Sequence, residues 1–147
     1  MEAKWKNLFR GDTAQKLMAF ASLIAMFIIF SVLSPNFAQF DNIVGILLAT
    51  AVNGVLAVGV NFVIITGGID LSIGTVMTLS SVITGVFISY WGLPIPIGIL
   101  GGLATGAMVG LINGATVARL KMPPFIATLG MMMITKGLSL VISGTKP

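Results

Sequence analysis

The chain has 147 residues, of which 56% are hydrophobic and only 8% charged, with a formal net charge of +4 and a mean hydropathy of +1.08. Soluble domains carry about 25% charged residues, and a water-facing surface cannot be built from so few. With no cysteine and no histidine, disulfides, thiolate and imidazole metal sites, thiol nucleophiles and Ser-His triads are excluded.

The four carboxylates, Glu2, Asp12, Asp41 and Asp70, are scattered along the chain and form no paired acid–base site, so no catalytic residue is assigned. Between Lys16 and Arg119 the only formal charges are Asp41 and Asp70. A stretch of that length with so little charge belongs in a bilayer. Lipid offers no hydrogen bonds, so each span must satisfy its own backbone as a helix of about 20 residues. The expected fold is all-α, a polytopic transmembrane bundle of five spans.

Residues 1–16 hold Lys4, Lys6, Arg10 and Lys16, with Trp5 and Phe9 at helical spacing. They read as an amphipathic segment at the cytoplasmic surface, leaving residues 17–147 as the transmembrane domain. The first span, residues 17–33, is a continuous apolar run stopped by Ser34-Pro35-Asn36. It is long for a signal-peptide core and lacks a small-x-small cleavage site, so it reads as an uncleaved anchor.

The second span covers residues 43–66 and the third residues 73–90, which ends in Tyr90-Trp91, a pair suited to a membrane interface. After the turn Gly92-Leu93-Pro94-Ile95-Pro96 comes the fourth span, residues 97–118, closed by Arg119-Leu120-Lys121. Met122-Pro123-Pro124 breaks the helix before the fifth span, residues 125–142. Alternating these spans from an inside N-terminus puts Thr66–Ser72 and Arg119/Lys121 on the cytoplasmic side. Both basic clusters then obey the positive-inside rule, which accounts for the net charge without nucleic acid as a partner. Lys136 falls within the fifth span and must snorkel, meet a partner or mark a wet interior.

The fourth span carries Gly98, Gly102, Gly106, Gly110 and Gly114 at i+4 spacing. Each glycine in a helix interior costs roughly 0.8–1 kcal/mol against alanine, and the return is close approach of a second helix. A smaller row in the second span, Gly45, Ala49, Asn53, Ala57 and Asn61, reads as a matching seam, the two rows packing either with each other or with helices outside this chain. The amides Asn53 and Asn61 serve either as interhelical hydrogen-bond donors or as the wall of a path for a polar solute, with Thr78 and Ser81 as further path candidates. Hydroxyls at Ser72, Thr75, Thr78, Ser81 and Thr84 drift around the third span, so several must bond back to their own helix.

The most specific local string is Thr66-Gly67-Gly68-Ile69-Asp70-Leu71-Ser72-Ile73-Gly74. Two glycines in succession allow a tight turn, and Asp70 is expected to cap the third span, favoured there by the helix dipole. Functionally the turn (Gly67, Gly68, Asp70, Ser72, Gly74) is a candidate gate or partner contact. No P-loop is present, since the nearest glycine-rich string, residues 101–107, lies mid-span without a lysine.

This string resembles the Gly-Ile-Asp-Leu-Ser-Val/Ile-Gly signature of the permease subunits of ribose- and xylose-type sugar ABC transporters. Two further strings are similar to the same family: Ala51-Val52-Asn53-Gly54-Val55-Leu56-Ala57-Val58-Gly59, and Gly110-Leu111-Ile112-Asn113-Gly114 continuing to Pro124-Phe125-Ile126-Ala127-Thr128-Leu129-Gly130-Met131-Met132. The resemblance covers the chain in order and implies an importer of a monosaccharide in the bacterial cytoplasmic membrane. Its implied partners are a second permease copy, a cytoplasmic ATP-binding subunit and an extracytoplasmic sugar-binding protein; the chain itself is implied to be neither an enzyme nor a holder of a cofactor. Arg119, Lys121, Pro123 and Pro124 then form a candidate loop for coupling to the ATPase.

Family members are longer than this chain, which matches their N-terminal half and so is expected to be a fragment or truncation. Relatives that carry branched-chain amino acids or a furanosyl signalling molecule are the nearest alternatives. An ion-coupled transporter would need an intramembrane ionisable site, for which Asp70 and Lys136 make a thin case. A membrane anchor that assembles partners without transport is the third class.

Overall fold

The structure, a computed structural model, describes residues 12–144. The amphipathic reading of residues 1–11 and the tail at 145–147 lie outside the described residues. Five helices among the described residues are long and apolar enough to cross a membrane: α1 (Asp12–Leu33), α2 (Phe40–Ile65), α3 (Ile73–Gly85) continued by a π-helical turn (Val86–Tyr90), α4 (Ile95–Arg119) and α5 (Pro124–Ser143). Helix α1 starts at Asp12, so the segment expected to lie on the surface up to Lys16 is, from Asp12 on, continuous with the span. The chain divides into two compact units, Met1–Asn53 and Gly54–Pro147.

In the first unit the Ser34-Pro35-Asn36 stop works as read. Asn36 Oδ1 accepts from Gln39 Nε2 at 2.9 Å, and Asn42 Nδ2 donates to the Phe37 carbonyl at 2.7 Å. The Phe37 ring packs back against Phe27 and Phe30, at centroid distances of 5.2 and 5.6 Å, which fixes how the chain leaves α1.

In the second unit α3 is the hub, with α4 and α5 both packed on it and on each other. Its buried side chains are more often polar than apolar: Ser72, Thr128, Thr135 and Ser139 beside Leu79 and Val109. Small hydroxyl residues let backbones close up and satisfy themselves across the interface, which is how helices associate where lipid removes the hydrophobic drive. Large apolar side chains such as Leu103, Leu111, Ile126 and Met133 are exposed instead, a distribution suited to hydrocarbon or to further helices and not to water. Lys136 is exposed on α5, seven residues before Ser143. It therefore lies about 10 Å from that end of the helix.

The third span ends in the π-helical turn, where Trp91 N–H donates to the Val86 carbonyl at 3.1 Å and Leu93 N–H to the Phe87 carbonyl at 2.9 Å. Phe87 and Trp91 stack with centroids 4.8 Å apart. The Phe87 ring occupies the space that a side chain at Gly101 would need: a Cβ there would sit 2.7 Å from it. Pro94 then caps α4 and Pro96 stands in its first turn, where a missing N–H costs nothing.

Candidate functional site

Helix α2 ends at the paired glycines. Gly67 takes φ of +75° and donates its N–H to the Ile64 carbonyl at 2.9 Å, while Gly68 N–H reaches the Val63 carbonyl at 3.0 Å. These two bonds are those of a Schellman motif, with Gly67 as its left-handed residue. Gly68 is needed for a different reason. A Cβ there would lie 3.0 Å from Val63 Cγ1, 3.3 Å from the Val63 carbonyl and 3.7 Å from Pro124 Cβ. The turn therefore runs tightly between the end of α2 and the start of α5.

Asp70 follows, and one of its carboxylate oxygens, Oδ1, accepts both the Ser72 N–H and the Ser72 hydroxyl, each at 2.7 Å. This corrects the expected cap. The N-cap of α3 is Ser72, which makes no side-chain cap of its own. Asp70 closes an Asx-type turn onto that residue and does not reach the first-turn amides. Oδ1 is taken by the two Ser72 donors, the hydroxyl bond being charge-assisted, and the Ser72 oxygen in turn accepts from Asn113 of α4 and not from its own first turn.

Ser72 is fully buried and holds the site together. Its hydroxyl oxygen accepts from Asn113 Nδ2 of α4 at 2.9 Å, and its carbonyl accepts from the Thr75 hydroxyl at 2.8 Å. Thr135 of α5 lies 2.8 Å from the Thr75 oxygen, hydroxyl to hydroxyl. The Thr128 hydroxyl, also on α5, is within reach of the Pro124 carbonyl at 2.9 Å and the Ile69 carbonyl at 3.2 Å. The signature turn is thus tied to both neighbouring helices.

Beside this network lies a pocket of about 450 Å³, walled by Asp70, Asn113, Thr66 and Thr128, with Gly110 and Gly114 forming the α4 side. Gly68, Pro124 and Ala118 also line it. The 66–72 turn and the α4–α5 loop therefore meet at one end of this unit, as alternating spans require. In that loop Arg119 is in the last turn of α4, and Pro123 and Pro124 open α5. Lys121 between them adopts φ of +54°, a left-handed conformation that usually goes to glycine.

The other expected residues are placed differently. The glycine row of α4 is not one seam. Cβ atoms at Gly98 and Gly102 would collide with Ile88 and Thr84 of the third span, and one at Gly106 would make ordinary contact at 3.6 Å with Ser80 Oγ. At Gly110 and Gly114 they would meet nothing within 4 Å, nor would one at Gly74 of the signature turn. The α4 seam faces the third span, not one of the two partners expected for it. Helix α2 has no buried residue, and Cβ atoms at Gly45, Gly54 and Gly59 would meet nothing within 4 Å.

Thr78 and Ser81 are exposed and donate to Gly74 and Met77 carbonyls of their own helix, each at 3.0 Å. Ser81 borders a groove of about 730 Å³ between α3 and α4. Asn61 is exposed, and Asn53 belongs to the other unit. Neither Asn61 nor Thr78 lines that groove. Three site residues went unread in the sequence: Asn113, Thr128 and Thr135. Thr128, Thr135 and Ser139 recur at intervals of seven and four, the helical repeat of one face, and that was the available signal.

Five apolar helices, a polar-lined interface between them and a glycine-built turn at one end define a multi-pass helical membrane protein. Residues 42–146 match the family described as "Branched-chain amino acid transport system / permease component", and the chain belongs to that family. It is 40% identical over 148 residues to the ribose import permease protein RbsC of Bacillus subtilis, covering 100% of this chain and 45% of that protein. It is 49% identical over 89 residues to the fructose import permease protein FrcC of Rhizobium meliloti, 60% of this chain and 25% of that one. With the galactofuranose transporter permease protein YtfT of Escherichia coli it shares 36% identity over 146 residues, 94% of this chain and 42% of that one. The chain spans less than half the length of these curated relatives. No solved structure matches it.

Proposed function

We propose that the chain forms part of the membrane-spanning subunit of an ATP-driven importer for a monosaccharide in the bacterial cytoplasmic membrane. The observation that carries this reading is similarity to ribose import permeases along the whole chain, at about the same identity in two bacteria. The names of the other relatives, for fructose, galactofuranose and L-arabinose, point to sugars and away from branched-chain amino acids as the solute.

In this reading the N-terminus is cytoplasmic, as the basic clusters at residues 4–16 and at Arg119/Lys121 require. The pocket end of the second unit then faces the cytoplasm. A second permease copy completes the pathway, an extracytoplasmic binding protein delivers the sugar, and a separate cytoplasmic ATPase supplies the energy. The α4–α5 loop, with Arg119 and the prolines that stiffen it, is the coupling surface. Asn53, Asn61, Thr78 and Ser81 gain a common path only once further helices are in place. Affinity purification from native membranes through an N-terminal tag tests the assembly. Recovery with an ATP-binding subunit supports it; recovery without any ATPase under conditions that keep other membrane complexes intact refutes it.

A further inference from the structure

The pocket beside the signature turn has an unusual polar lining, because its side chains have turned donors inward. The Thr66 hydroxyl donates to the Val63 carbonyl at 2.8 Å. Asn113 spends an amide hydrogen on Ser72, and the Thr128 proton lies against the Pro124 and Ile69 carbonyls. Asp70 satisfies both Ser72 donors with Oδ1 alone and is half-buried at the wall, so Oδ2 has no protein partner among the described residues. What remains for an occupant is mainly acceptors: a carboxylate oxygen, an amide carbonyl and hydroxyl lone pairs. The rest of the wall is apolar, from Val63, Ile69 and Val117, and the glycines of α4 let an occupant approach the helix backbone. The volume, about 450 Å³, lies in the range of small-molecule sites.

We infer that this pocket is a sugar subsite at the cytoplasmic end of the pathway, in which Asp70 and Asn113 accept hydrogen bonds from ring hydroxyls. The inference rests on the sugar-permease reading. A neutral polyol brings several donors and pays no charge-burial penalty, whereas an apolar helix would leave the Asp70 oxygen dry and unpaired. Hydrogen bonds to a carboxylate are about twice as strong as neutral ones, so Asp70 anchors and Asn113 orients. One anchor suits a solute that must also leave.

The glycines supply the test. A side chain at Gly114 enters the pocket from an open wall, since a Cβ there touches nothing within 4 Å, and Gly137 on α5 is equally open but does not line this pocket. In the full-length permease, assembled with its ATPase and binding protein in proteoliposomes, D-ribose is the probe. Gly114→Val is expected to weaken saturable D-ribose binding to the permease at least tenfold and to cut uptake, with melting temperature and subunit recovery unchanged. Gly137→Val should leave all four unchanged. Asp70→Asn, which keeps an acceptor for Ser72 N–H, is the second variant and should weaken binding several-fold.

Wild-type uptake with binding untouched by both Gly114→Val and Asp70→Asn would overturn the subsite while leaving the permease reading intact. Loss of subunit recovery or a lowered melting temperature in Gly114→Val alone would show that protein fills the pocket, which also overturns it. Competition by choline as strong as by D-xylose would show a cation site and do the same. A wild-type assembly that takes up no sugar would overturn the function itself.

Discussion

The α4 glycine row predicts opposite outcomes for the same substitution two turns apart. Changing Gly102 or Gly110 to alanine gains the same helix propensity, roughly 0.8–1 kcal/mol. At Gly110 the new methyl meets nothing within 4 Å, so the gain is kept. At Gly102 it meets the Thr84 hydroxyl and, at 3.1 Å, the Ser80 carbonyl. Thr84 can rotate at the loss of its 2.8 Å bond to Ser80, but the carbonyl belongs to the α3 backbone and moves only if the helices part. Overpacking of that kind costs about 1–3 kcal/mol. The propensity gain cancels in the comparison, so Gly102→Ala should be about 1–3 kcal/mol less stable than Gly110→Ala. Detergent-titrated unfolding of the full-length permease in mixed micelles, followed by far-UV circular dichroism, measures the difference. Equal stability, or a more stable Gly102→Ala, would refute the assignment of the seam to α3.

Thr135→Val removes the link to Thr75 from a buried site and should cost about 0.6 kcal/mol, with about 1.7 as the upper bound for such bonds in a bilayer. Thr78→Val, which loses only a bond to its own helix, should cost nothing measurable in the same titration. Lys121→Gly releases a left-handed lysine and should stabilise the permease by about 1 kcal/mol, yet lower sugar-stimulated ATP hydrolysis if the loop couples; unchanged hydrolysis would remove the lysine from the coupling surface. Asp70→Asn replaces a charge-assisted bond by a neutral one and should cost about 1 kcal/mol in stability, while uptake falls much further. Full uptake by that variant would reduce Asp70 to a turn residue.

The helices were legible because each span is a long apolar run closed by a strong stop: Ser34-Pro35-Asn36, Gly67-Gly68, Gly92 to Pro96, and Pro123-Pro124. Their ends moved by a few residues, since a helix continues through polar residues such as Asp12 while its backbone bonds can be made. Tertiary pairing was less legible. Five glycines at one spacing announce close approach but not which helix approaches, and the row divides because Gly98 to Gly106 meet the third span while Gly110 and Gly114 line the pocket. The expected cap at Asp70 failed because its Oδ1 is taken by both Ser72 donors, and Ser72 is held in turn by Asn113, forty-one residues away in the chain. The path candidates Asn53, Asn61, Thr78 and Ser81 are polar residues in apolar turns. Composition alone could not separate a lone hydroxyl bonded to its own helix from one built into a site.

The central claim is tested most directly by sugar uptake into sealed proteoliposomes holding the full-length permease. Uptake of D-ribose that needs both the binding protein outside and the ATPase with ATP inside, and that survives collapse of proton and sodium gradients, is the result expected. Uptake driven by an ion gradient without ATP would contradict the account and assign the fold to a secondary transporter.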